Sequence, residues 1–142
     1  MRSRKGTNFA LIGLSCLVLG LFGYIYSTSQ SMPSPTRIVS VKVVGNGGAI
    51  YEVLYDSGGA TVPFVYRYFL MEFQTDDAEA LKKLRGAEPF LVTKSPNAVR
   101  EIHGDRADLY VTDTIYKYRS QGFFIIEGRL VPIKFNLKAT MP

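Results

Sequence analysis

The chain of 142 residues contains one histidine, and it sits in EIHGDRAD (101–108), with Asp105 and Asp108 close to His103. An imidazole with two carboxylates is a ligand set that a divalent cation accepts. The same letters also make a compact polar turn, and without further histidine or cysteine ligands the turn is the reading adopted, with no metal residue assigned. Nucleophilic catalysis has no better footing: no G-x-S-x-G occurs, and a single histidine leaves nothing over for a triad. GNGG (45–48) and DSGG (56–59) are glycine-rich enough to cradle a phosphate, but neither carries the lysine and following helix of a P-loop, so both read as hairpin turns. The expectation is a protein that is not an enzyme and uses no cofactor.

Two isolated charges stand in apolar runs: Arg67 in VPFVYRYFLM (62–71) and Asp113 in LYVTDTIY (109–116). A buried, unpaired ion costs several kcal/mol, so the two either pair with each other or reach solvent. If they do not pair, Arg67, flanked by Tyr66 and Tyr68, becomes a contact for an external partner, since tyrosine and arginine are enriched at interface hot spots.

The elements that must position these residues are mainly strands. RIVSVKVV (37–44) alternates, with Val39, Val41 and Val43 on one face; AIYEVLY (49–55) and ATVPFVYRYFLMEF (60–73) follow across the two glycine turns, which makes a meander. The run 62–71 is apolar on both faces apart from Arg67, as in a strand covered on both sides, and Pro63 belongs at its start or beside an unpaired edge. TDDAEALKKLRG (75–86) carries helix signals: Asp76 as cap with Glu79 three residues on, basic residues in the last turn, and Gly86 as a left-handed stop. Ala78, Leu81 and Leu84 give this helix a narrow apolar stripe suited to covering one face of a sheet. Strands are expected again at 89–94, 98–102, 107–118, 122–128 and 131–137. The fold class is α+β, a mostly antiparallel β-sheet domain at 37–142 with one short helix, preceded by a single transmembrane helix.

That helix is read at 9–26, where 18 residues carry no charge and a helix rises roughly 27 Å, close to the thickness of a bilayer's hydrocarbon core. Residues 1–8 form a basic cytoplasmic tail with Arg2, Arg4 and Lys5, which places the remainder outside by the positive-inside rule. STSQSMPSPT (27–36) reads as a linker. Cleavage after Ser29 and lipidation of Cys16 are the two alternatives to a retained anchor. The apolar run is longer than a signal peptide's core, and ten uncharged residues follow the cysteine, so the anchor is preferred. Gly13, Cys16, Gly20 and Gly23 fall on one stripe of the helix, where small residues would allow a second helix to approach and a homo-oligomer to form.

Three of the 17 Lys and Arg precede the span, leaving 14 against 12 acids, so the outer part is only +2 where the whole chain is +5. No basic patch interleaved with aromatics appears, and a nucleic-acid partner is not expected. Cys16 is the only cysteine, so the outer domain folds without a disulfide; no N-x-Ser/Thr acceptor occurs. These features suit a bacterial inner-membrane protein facing the periplasm. The anchor, DSGGATVPFVYRYFL (56–70) and IKFNL (133–137) together resemble a family of small, uncharacterised membrane-anchored proteins of enterobacteria and their relatives. The resemblance implies a bacterial membrane protein and brings no activity or site residue with it. The function expected is a periplasmic binding or accessory module that contacts another envelope protein. A structural protein assembling through its helix, and last a periplasmic enzyme, are the alternatives.

Overall fold

The computed structural model describes residues 4–29, 35–55 and 63–140, with the side chains of 4–12 and 27–29 left aside. The chain divides into two units, Met1–Met32 and Pro33–Pro142. In the first, helix α1 runs Arg4–Ser29. Its apolar side chains, among them Leu14, Leu17, Leu19, Leu21 and Phe22, are exposed. Among the described residues no helix is long and apolar enough to cross a membrane; of the uncharged run 9–26, only 13–26 has described side chains.

The second unit contains β1 (Arg37–Val44), β2 (Gly48–Tyr55), β3 (Val65–Glu72), α2 (Asp77–Leu84), β4 (Leu91–Thr93), β5 (Val99–His103), β6 (Arg106–Val111), β7 (Ile115–Tyr118), β8 (Gln121–Ile126) and β9 (Arg129–Ala139). They form a five-stranded sheet, β1-β2-β3-β4-β7, and a four-stranded sheet, β5-β6-β9-β8. All pairings are antiparallel except β6 with β9. The fold is mostly antiparallel β with two helices, an α+β arrangement.

One core lies between the sheets. Ile50, Tyr68 and Leu91 of the larger sheet meet Val99, Leu109, Ile133 and Phe135 of the smaller one, and Phe90 stacks on Phe135 with ring centroids 3.8 Å apart. A second core lies on the opposite face of the larger sheet, where Tyr51, Val53 and Phe69 pack with Ala80 and Leu84. β2 is therefore buried along its whole length. Two polar links stitch the edges of the sandwich: Lys42 Nζ donates to the Val99 carbonyl, and Gly45 N donates to Gly104 O at 3.1 Å.

Local chemistry accounts for α2. Asp76 Oδ1 accepts from Ala78 N at 3.2 Å, acids fill the first turn and lysines the last, and Ala80 and Leu84, four residues apart, form the buried stripe. The stripe differs from the expected Ala78–Leu81–Leu84, since Ala78 is exposed and Leu81 half-buried. The helix also stops without a left-handed glycine. Arg85 is the C-cap at φ −59°, and Gly86 N closes on Lys83 O at 3.4 Å.

β1 spans the expected 37–44, and two other runs change their bounds. A bulge at Val39 shifts β1, so that Ser40, Lys42 and Val44 turn towards the second sheet while Val39, Val41 and Val43 are exposed. Pro63 lies just before β3, which begins only at Val65. The stretch 107–118 is two strands in different sheets. Residues 112–114 carry the chain across, held by Thr112 N donating to Ser95 Oγ at 3.1 Å and Thr93 Oγ1 donating to Thr114 O at 2.7 Å. DSGG (56–59) lies outside the described residues.

Candidate functional site

Within the second unit no described helix covers the outer face of the four-stranded sheet, whose chemistry is set by a β-bulge. Regular alternation from the buried Val99 would turn Glu101 and His103 inward. The register shifts between Val99 and Glu101, so Arg100 and Glu101 both point outward, Ile102 packs into the core and His103 emerges again. A two-residue turn, with Gly104 at φ 60°, returns the chain into β6. Glu101 then stands directly opposite Asp108, and Asp108 opposite Asn136 of β9.

His103 Nε2 lies 3.2 Å from Glu101 Oε2 and 4.0 Å from Asp108 Oδ2, and one ligand atom of each of the three falls within 4.8 Å of the others. Asn136 Nδ2 donates to Asp108 Oδ1 at 2.9 Å. Arg100 stands over the Tyr110 ring, 5.6 Å from its centroid, and a groove of about 380 Å³ runs past Arg100, Glu101, Asp108, Tyr110 and Lys138. Of the trio His103, Asp105 and Asp108 read from the sequence, the structure gathers His103 and Asp108, adds Glu101, and leaves the Asp105 side chain outside the cluster. Glu101 had a usable signal. Residues i and i+2 of a strand share a face, and Glu101 and His103 have that spacing.

At the other end of the same face, β8 and β9 present Phe123 opposite Pro132 and Ile125 opposite Leu130. Phe123, Ile125 and Leu130 are 54, 62 and 62% exposed, and Pro132 is exposed beside them. Arg106 and Lys134, which face each other across β6 and β9, separate this apolar strip from the histidine cluster.

Arg67 and Asp113 do not pair. Arg67 lies on the α2 side of the larger sheet with its guanidinium carbon 4.1 Å from the centre of the Tyr55 ring, and its Nε is buried without a hydrogen-bond partner. Burial pushes the Tyr55 hydroxyl up, and the Arg67 charge works against that. Asp113 is in no strand; it is exposed at the crossing between sheets, where the Thr114 amide and hydroxyl hold its carboxyl below the usual carboxylate range. Of the two alternatives, pairing or reaching solvent, Asp113 takes the second because its run breaks at that aspartate. Tyr68 cannot meet a partner either, being fully buried, and Tyr66 is half-buried.

Tyr68 belongs instead to an interior polar cluster that the sequence did not disclose. Its hydroxyl donates to Ser95 O at 2.9 Å and accepts from Ala98 N at 3.0 Å. Glu52, 2% exposed, accepts from Ser40 Oγ at 2.7 Å and Asn97 N at 2.8 Å. Burial drives the Tyr68 hydroxyl well above its ordinary range. These groups bond to one another and to the connection 94–98, so they fix the crossover from β4 to β5 rather than await a substrate. Gly13, Cys16, Gly20 and Gly23 all lie in α1, with Cys16 exposed and no atom within 4 Å of a Cβ built on the three glycines.

Comparison with known proteins finds no matching protein family, no matching curated protein and no matching solved structure, so the geometry above carries the functional argument alone.

Proposed function

We propose that the chain is a binding module, anchored in a bacterial inner membrane by α1, whose periplasmic domain contacts another envelope protein through the bare face of the sheet β5-β6-β9-β8. The observation that carries this reading is the strip Phe123, Ile125, Leu130 and Pro132, four apolar residues in two directly opposed pairs, exposed together. Scattered apolar residues are ordinary on a surface, but contiguous ones mark contact sites. Arg106 and Lys134 border the strip on the side of the histidine cluster, so the partner's surface pairs an apolar patch with acidic groups on that side. The anchor is supported by the uncharged run 9–26, the basic residues before it and the apolar exterior of α1.

A photo-crosslinking amino acid at position 123 of the full-length chain in cells is expected to give one discrete adduct in the membrane fraction. The same probe at position 82, on α2, is expected to give none. Equal adducts at both positions would remove the docking face, and recovery of the chain as a shortened soluble product would remove the anchor.

A further inference from the structure

We propose that Glu101, His103 and Asp108 form a surface site for a borderline divalent cation of the Zn2+ type, with Asn136 as a positioning residue. The site does not depend on the docking strip, from which Arg106 and Lys134 separate it.

Two carboxylates stand directly opposite each other on neighbouring strands, an arrangement of like charges that destabilises a sheet unless a cation lies between them. The face is rich in candidates for that role. Yet among the described residues no lysine or arginine comes within 4.0 Å of either carboxylate; the one basic side chain that close is His103, with Arg106 directly across the strand pair from it and Arg100 and Lys138 along the same groove. Arg100 is turned aside onto Tyr110. With metal–ligand bonds of about 2.1 Å, tetrahedral ligand atoms lie about 3.4 Å apart. The observed 3.2 and 4.0 Å bracket that value, and the third edge, within 4.8 Å, closes by a small side-chain adjustment. Asn136 occupies Asp108 Oδ1, which leaves Oδ2 as the oxygen turned to His103, the kind of outer support that orients metal ligands.

One imidazole nitrogen and two carboxylate oxygens favour Zn2+ or its neighbours over Mg2+ and Ca2+, which take all-oxygen shells. The two negative charges balance the ion, and three protein ligands on an exposed face leave a fourth position open to water or to a group from outside.

Because the chain has one histidine, isotope labelling of histidine gives a single imidazole signal. Titrating Zn2+ into the untagged full-length chain in detergent is expected to move or replace that signal with 1:1 stoichiometry at micromolar metal, while Mg2+ leaves it in place. Glu101→Gln and Asp108→Asn are each expected to weaken binding by about tenfold or more. Asn136→Ala is expected to weaken it less, and Cys16→Ser not at all. A histidine signal unmoved at millimolar Zn2+ overturns the site. So does equal affinity in the Glu101→Gln/Asp108→Asn double variant, which would mean that the imidazole alone binds; a variant that fails to fold leaves the wild-type titration to decide.

Discussion

The two outer faces of the sandwich received different treatment from the same chain. Over the five-stranded sheet, Tyr51, Val53 and Phe69 are sealed by Ala80 and Leu84 of α2. Over the four-stranded sheet, Phe123, Ile125 and Leu130 stand in solvent. Connection length accounts for the contrast. The link from β3 to β4 is long enough to hold α2, whereas β5–β6 and β8–β9 are joined by two-residue turns, Gly104-Asp105 and Glu127-Gly128. A hairpin that tight contains nothing with which to build a cover. Apolar residues on such a face are covered by something outside the fold or by nothing, and this is the physical basis for reading one face as core and the other as a contact surface.

The largest test of that contrast is Leu84→Ala. Leu84 is 1% exposed, and truncating it is expected to cost about 2–5 kcal/mol in urea unfolding. The next is Tyr68→Phe, which leaves Ala98 N without its acceptor and Ser95 O without its donor, at about 1–3 kcal/mol. It also has a pH signature. Burial raises Tyr51, Tyr55 and Tyr68 above the ordinary 10.0, so above that pH the unfolded chain releases protons that the native state still holds. Stability from this source is therefore complete below about pH 10 and falls as pH rises past it. Unfolding at pH 8, 10 and 11 is expected to show that decline, with a shallower slope in Tyr68→Phe. Smallest of all is Leu130→Ser on the bare face, expected to shift stability by no more than about 0.5 kcal/mol while abolishing the adduct at position 123. A Leu130 effect as large as that of Leu84 would mean that the bare face is packed after all, and the contrast would be lost.

Periodicity and turn residues foretold β2, α2, and the hairpins at 45–48 and 103–106, because those signals are local. Interrupted runs were harder. The run 107–118 carries a continuous strand-like pattern, and only the threonines at 112 and 114, bonded to Ser95 and Thr93, show that it changes sheets. β1 spans the residues its alternation marks, and only the bulge at Val39 has no signal in that pattern. Glu101 joined His103 and Asp108 through another bulge. Arg67 was open to an ion pair, to solvent or to an outside partner, but its neighbour in space is the ring of Tyr55, a contact that charge patterning does not register.

The parallel pairing of β6 with β9 bears on the order of folding during synthesis. β9, eleven residues long, sits between β6 and β8, and its Asn136 meets Asp108 from 28 positions earlier. While a ribosome or translocon is still releasing β7 and β8, the β5–β6 hairpin has one edge with no strand to pair with, and the smaller sheet cannot close. Only when 129–139 emerges does that edge disappear. Until then that edge is an open template for pairing with another chain, a hazard that ends with the arrival of this one strand.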